Sequence, residues 1–230
     1  MNIPKSRQSN LKNLASQLFR KLIERSVSME ATSAITLYTF KPGEALYKIG
    51  KNARGLFYVS NGLIKIVRPQ ESGDETMVRL SSEREFLGTL SLVKGYRYTG
   101  TAIALNSVEA YKINRDFFMQ SLDSDYELGY LFMQYLLESI YNAETRISEL
   151  INKNVEERIA TALLSLYAQD GDGKKVSIPK KDLAMITGSI QETISRKLAK
   201  MARKSLIRLK GKDIFLTDLD GLIRLSKMVE

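Results

Sequence analysis

The chain has 230 residues, 43% of them hydrophobic, with 35 Lys and Arg against 26 Asp and Glu and with neither cysteine nor histidine. Those two absences remove disulfides, iron–sulfur ligation by thiolates, ordinary zinc sites, the usual axial ligands of haem, and both Ser–His and Cys–His nucleophile pairs, so no cofactor and no enzymatic activity are expected. No run approaches the ~20 apolar residues of a bilayer span, and no apolar signal-peptide core opens the chain, so a cytoplasmic protein with no membrane partner is expected.

In chain order, residues 1–34 read as a helical segment. Leu11, Leu14, Leu18 and Leu22 recur at helical spacing beside Lys12, Arg20, Lys21 and Arg25. Packing against the next domain is favoured for this stripe over a membrane-surface role. Residues 35–120 then carry short β-runs, such as Ile35 to Phe40, Gly55 to Val59, Leu63 to Val67 and Thr76 to Leu80. Turn signals at Pro42-Gly43, Gly50, Asn61-Gly62 and Gly73-Asp74 separate them, which predicts a small β-sandwich or barrel.

From residue 121 to 153 the period changes. Met133, Leu136, Ile140, Ala143, Ile147 and Leu150 recur at alternating spacings of three and four, with Glu138, Asn142, Glu144, Arg146 and Glu149 on the other faces. That spacing predicts a heptad seam, and pairing two such helices along it would make a homodimer. Asn154 followed three residues later by Glu157 has the form of a capping pair, so a new helix and a hinge are expected at residues 153 and 154, ahead of the turn Asp170-Gly171-Asp172-Gly173.

The charge is concentrated near the C-terminus. Between Lys174 and Lys212 twelve cations stand against two acids, a net +10, which leaves −1 for the rest of the chain. Within this segment the run from Ile178 parses as helix, glycine turn at Gly188, and second helix opening at Ser189. Ile190, Ile194, Leu198 and Met201 keep helical spacing, which leaves Gln191, Glu192, Ser195 and Arg196 outward. These residue types read base edges: arginine pairs with guanine O6 and N7, glutamate accepts from cytosine N4, and serine or glutamine reaches either kind of group. Lys180, Lys197, Lys200 and Lys212 are the expected phosphate contacts, and Leu206 to Leu216 reads as a hairpin wing turning at Lys210-Gly211-Lys212. Ser189 and Glu192 also form an S-x-x-E capping box that any helix start uses.

With these residues in hand, the chain resembles the Crp/Fnr family of bacterial transcription regulators from about Leu18 to Leu225. The blocks that carry the resemblance are K-P-G-E-A-L-Y-K-I-G at Lys41 to Gly50, G-L-F-Y-V-S-N-G-L-I-K-I at Gly55 to Ile66, F-L-G-T-L-S-L at Phe86 to Leu92, and the helix-turn-helix, whose E-T-I-S-R at Glu192 to Arg196 is similar to the Fnr branch. The resemblance implies an α+β chain: an N-terminal β jelly-roll (double-stranded β-helix) sensor domain, a long dimerisation helix, and a C-terminal winged helix-turn-helix over residues 154–230. It also implies base contacts from Glu192, Ser195 and Arg196 on an inverted repeat of TTGA-type half-sites, with double-stranded DNA, a second copy of the chain and RNA polymerase as partners.

In cyclic-AMP-binding members, the cassette after Phe86-Leu87-Gly88 carries a glutamate for the ribose and an arginine for the cyclic phosphate. Here those places fall on Thr89 and Tyr98, with Arg97 and Thr99 alongside, and Ala143 or Glu144 stands where a threonine-serine pair meets the base. An effector pocket would therefore draw on Gly88, Thr89, Arg97, Tyr98 and Thr99, and cyclic AMP fits it poorly. Another small anion, an uncommon ligand, or no ligand at all remain open. The competing reading is a cyclic-nucleotide-type sensor module whose ligand controls DNA binding.

Overall fold

The structure is a computed structural model that describes residues 8–93, 97–168 and 175–227. The expected turn at residues 170–173, and Lys174 in the basic segment, lie outside them. The chain forms two compact units that divide between Asn142 and Ala143.

In the first unit, α1 (Gln8–Ser28) precedes eight strands: β1 (Ile35–Phe40), β2 (Ala45–Tyr47), β3 (Gly55–Asn61), β4 (Ile64–Pro69), β5 (Glu75–Ser81), β6 (Phe86–Leu87), β7 (Thr101–Ala104) and β8 (Val108–Asn114). They make two four-stranded antiparallel sheets, ordered β1-β8-β3-β6 and β2-β7-β4-β5, a jelly-roll sandwich. The β4–β5 pairing slips register between Ile66 and Val67, so the strand bends there. The predicted turn at Asn61-Gly62 is forced: Gly62 has φ +106, and a Cβ there would meet the Ser107 carbonyl at 2.7 Å.

Strand β3 is buried on both faces, and its alternation assigns them. Phe57 and Val59 enter the sandwich with Leu46, Ile64, Leu87 and Ala102. Leu56 and Tyr58 face outward, yet they are covered by Leu11, Ala15, Leu18 and Leu22 of α1 and by α3 (Arg115–Ser124) and α4 (Tyr126–Asn152). The N-terminal apolar stripe thus packs on the sandwich; each fully buried Leu contributes roughly 1.5–3 kcal/mol.

In α4, Leu128, Leu131, Phe132 and Tyr135 bury against this same cluster, with Leu136 packed beside them. This corrects the expected seam. Leu136 belongs to the chain's own core, and its neighbour Leu137 is 58% exposed. The apolar positions left uncovered are Tyr126, Tyr130, Met133, Leu137, Ile140, Tyr141, Ile147, Leu150 and Ile151. Met133, Leu137, Ile140, Ile147 and Ile151 lie on one line of alternating four and three spacing, interrupted by Glu144. Ala143 is exposed to one side of that line.

The second unit comprises the end of α4, α5 (Val155–Tyr167), β9 (Val176–Ser177), α6 (Lys180–Thr187), α7 (Gln191–Arg203), β10 (Ile207–Lys210), β11 (Asp213–Leu216) and α8 (Leu219–Ser226). The expected capping pair is present. Asn154 Oδ1 accepts from the Glu156 and Glu157 backbone N–H groups, and Glu157 Oε2 accepts from the Asn154 N–H. Its core joins Ile159, Leu163, Leu164, Leu183, Ile194, Leu198, Met201 and Leu222, all buried. β10-β11-β9 form a three-stranded antiparallel wing.

The expected hinge at residues 153 and 154 is bridged by side chains. Arg158 Nη1 donates to the carbonyls of Leu150 (3.1 Å) and Lys153 (2.7 Å), and its Nε donates to Thr187 O (2.7 Å), which fastens the last turn of α4 to the end of α6. These are orphan helix-end carbonyls that need donors.

Candidate nucleic-acid interface and effector cassette

Helix α6 ends at Gly188, whose left-handed backbone (φ 59, ψ 48) reverses the chain. The Ser189 N–H donates back to Ala184 O at 2.9 Å, so Ser189 closes the turn that follows α6. The second helix therefore opens two residues later than expected, at Gln191, with Ile190 as its N-cap and no side-chain cap. The Ser189–Glu192 capping box is not formed. Ile190, expected on the inner face, is 65% exposed, because the N-cap sits ahead of the first buried turn.

Ile194, Leu198 and Met201 bury the inner face of α7. At 100° per residue the opposite face centres on Glu192, Arg196, Ala199 and Arg203, all exposed, with half-buried Ser195 and exposed Gln191 on one flank. Arg203 belongs to no local motif, yet its spacing of seven from Arg196 puts it on the same stripe.

Wing and helix meet in an open cleft of about 230 Å³ that brings Lys180, Gln191 and Lys212 together over Leu198, Leu209 and Ile214. Lys180 opens α6 and Lys212 stands in the wing turn, where Gly211 adopts φ +61. Arg208 lies across the Phe215 ring at 4.7 Å, a cation–π contact that stiffens the hairpin. Asp213 accepts from Lys175 at 2.9 Å and from the Ser177 hydroxyl, and these hydrogen bonds hold its carboxyl below the usual range.

Lys197 and Lys200 face elsewhere than expected. Glu156, in the first turn of α5, takes Lys200 at 2.9 Å and Lys197 at 3.3 Å on Oε2 and Lys204 at 3.5 Å on Oε1. Burial raises the Glu156 pKa, but the hydrogen bonds from Lys200 and Lys197 together with their charges outweigh it, so the carboxyl stays below its usual value. Glu157 binds Lys227 at 2.6 Å, and that hydrogen bond, with the Asn154 backbone, lowers it too. No local motif marks Glu156, because its partners lie 41 to 48 positions away.

In the cassette that follows Phe86, Gly88 (φ +85) ends β6 and Thr89 opens α2 (Thr89–Val93). Tyr98, where the resemblance expects an arginine, is buried: its ring stacks on Tyr47 at 4.0 Å and 14°, and its hydroxyl donates to Gly55 O at 2.7 Å. Burial pushes this phenol up to about 12. A Cβ on Gly88 would stand 3.1 Å from the Tyr98 ring, so the two residues fill the corner together. Arg97 points out, donating to Gly50 O at 3.2 Å, and exposed Thr99 accepts from Arg68 at 3.2 Å. Gly88, Thr89 and Tyr98 thus lie at one corner of the jelly roll, while Arg97 and Thr99 are engaged on its surface.

Residues 37–125 match the cyclic nucleotide-binding domain, and residues 157–225 match the Crp-like helix-turn-helix domain. Among curated proteins, the chain is 24% identical over 211 residues to a CRP-like cAMP-activated global transcriptional regulator of Mycobacterium tuberculosis, covering 89% of this chain and 94% of that one. It is 27% identical over 183 residues to the global nitrogen regulator of Synechococcus elongatus, covering 76% and 82%. Among solved structures, a CRP/FNR-family transcriptional regulator from Thermus thermophilus superposes with TM-score 0.72 at 26% identity, over 84% of this chain and 98% of the other.

Proposed function

Because the chain belongs to the Crp/Fnr family of DNA-binding transcription regulators, we propose that it acts as a homodimer on an inverted repeat of TTGA-type half-sites. The observation that carries this reading is the exposed stripe of Glu192, Arg196 and Arg203 on a helix whose other face is buried, set in a segment of net charge +10. Glu192, Ser195 and Arg196 read base edges, each good bidentate contact giving ~1–3 kcal/mol of discrimination. Lys180 and Lys212, which line the same cleft as Gln191, hold phosphates, a role that fixes register and confers salt dependence.

Dimerisation rests on the uncovered stripe of α4 from Met133 to Ile151. Paired along a two-fold axis, two such helices would set the reading helices ~34–36 Å apart, one turn of DNA. The protein works in the cytoplasm and meets RNA polymerase at promoters. Among the described residues no helix is long and apolar enough to cross a membrane.

Regulation is independent of cyclic AMP in this reading, supported by the Tyr98 ring where a cation for the cyclic phosphate is expected. The match of residues 37–125 to the cyclic nucleotide-binding domain favours a second reading, a small ligand of other chemistry controlling DNA binding. Selecting bound sites from a random duplex pool, with and without cell metabolites, tests both. Recovery of an inverted repeat with TTGA-type arms supports the first reading, enrichment only with metabolites supports the second, and no enrichment counts against both.

A further inference from the structure

The lysines at 197, 200 and 204 form one flank of α7, roughly a quarter turn from the stripe of Glu192, Arg196 and Arg203. All three amines converge on the Glu156 carboxylate, whose side chain is 8% exposed and sits in the first turn of α5, where the helix dipole also favours an anion. One amine would balance its charge. Three are gathered, and a phosphate approaching this flank must compete with that carboxylate for them.

We propose that Glu156 is a specificity-determining residue, a built-in counter-anion that occupies Lys197, Lys200 and Lys204 and so lowers affinity for DNA of arbitrary sequence. The base-facing residues Glu192, Ser195 and Arg196 have no part in this cluster. A non-specific complex, with no fixed register, gains from every cation that reaches a phosphate, whereas base contacts fix the specific register without this flank, so holding back three cations raises the ratio of specific to non-specific binding. The inference rests on the DNA-reading function proposed above.

The test measures affinity of the full-length wild type and Glu156→Gln for an inverted-repeat duplex and for a random duplex across salt concentration. Each newly engaged phosphate steepens the slope of log affinity against log salt by about 0.9. Between 50 and 200 mM salt, the random-duplex affinity of Glu156→Gln should therefore fall about 40-fold further than wild type if all three amines engage, and about 3.5-fold further if one does. Its preference for the inverted repeat should shrink. A slope equal to or shallower than wild type overturns the proposal.

Single lysine variants in the otherwise native chain decide the matter independently of how Glu156→Gln folds. Lys197→Gln and Lys200→Gln should leave the random-duplex slope unchanged, while Lys212→Gln makes it shallower by about 0.9. A Lys200→Gln effect as large as that of Lys212→Gln overturns the proposal. A wild type that binds the inverted repeat no better than random duplex refutes the specific-reading function, and a wild type that binds neither refutes both.

Discussion

The hydroxyl of Tyr135, on α4, holds both backbone groups of Phe86: it accepts the Phe86 N–H at 3.0 Å and donates to the Phe86 carbonyl at 3.3 Å. Phe86 begins the short strand that leads into Gly88 and Thr89, so one phenol ties the long helix to the cassette. Both partners are fully buried. Tyr135→Phe leaves these two groups without the hydroxyl and should cost about 1–3 kcal/mol. Denaturant unfolding of the first unit should shift by that amount, and amide exchange at Phe86 should accelerate.

Tyr98→Ala removes a ring that stacks on Tyr47 and covers the Gly55 carbonyl. A loss of roughly 3 kcal/mol is expected, as for other buried aromatic truncations. Wild-type protein, with this corner filled, should give no saturable heat with cyclic AMP in titration calorimetry. Micromolar binding would reverse the reading of the cassette.

Gly188→Ala tests the helix-turn-helix corner. The position is left-handed, and an added Cβ would stand 3.2 Å from Leu150 Cδ2. A cost of about 1–2 kcal/mol is expected from the backbone alone, with a matching drop in thermal midpoint of the second unit and weaker binding to every duplex.

Arg196→Ala and Lys212→Ala should separate reading from holding. Loss of Arg196 should relax sequence choice at one base pair of each half-site by ~1–3 kcal/mol. Loss of Lys212 should weaken all duplexes alike, with a shallower salt slope. Competition binding against single-base variants of the site distinguishes the two patterns.

Acid should loosen the second unit first. Glu156, Glu157 and Asp213 all have carboxyl pKa values held below their ordinary ones, Glu156 by Lys200 and Lys197 against the pull of burial, Glu157 by Lys227 and the Asn154 backbone, Asp213 by Ser177 and Lys175. A depressed folded-state pKa gives stability that is complete above the unfolded value and is lost as pH falls through the folded one. The unit should thus hold its stability down to about pH 4.5 and lose it progressively below. Glu157→Gln should flatten that acid limb.

Much of this molecule was legible locally. Strand β1 spans the predicted residues, the Asn154–Glu157 cap forms as its spacing requires, and the turn glycines adopt positive φ at Gly43, Gly50, Gly62 and Gly73. Each depends on neighbours within a few positions. The exposed stripe of α4 was legible only in part: periodicity marks apolar positions on the helix, but Leu136 and Leu137 are both apolar, and which one turns inward depends on Phe132 and Tyr135 meeting a distant α1 and β3.

The amino-acid order by itself determined the strand-rich N-terminal half, the basic C-terminal segment and the outward positions of Gln191, Glu192 and Arg196, because hydrophobic period, turn chemistry and charge are properties of short stretches. Only the tertiary structure decided which lysines pair with a carboxylate and whether the cassette corner holds a cation. Those outcomes turn on Glu156 meeting Lys200 across 44 positions and Tyr98 meeting Gly55 across 43, and pairings at such separations exist only once the chain has closed around its cores.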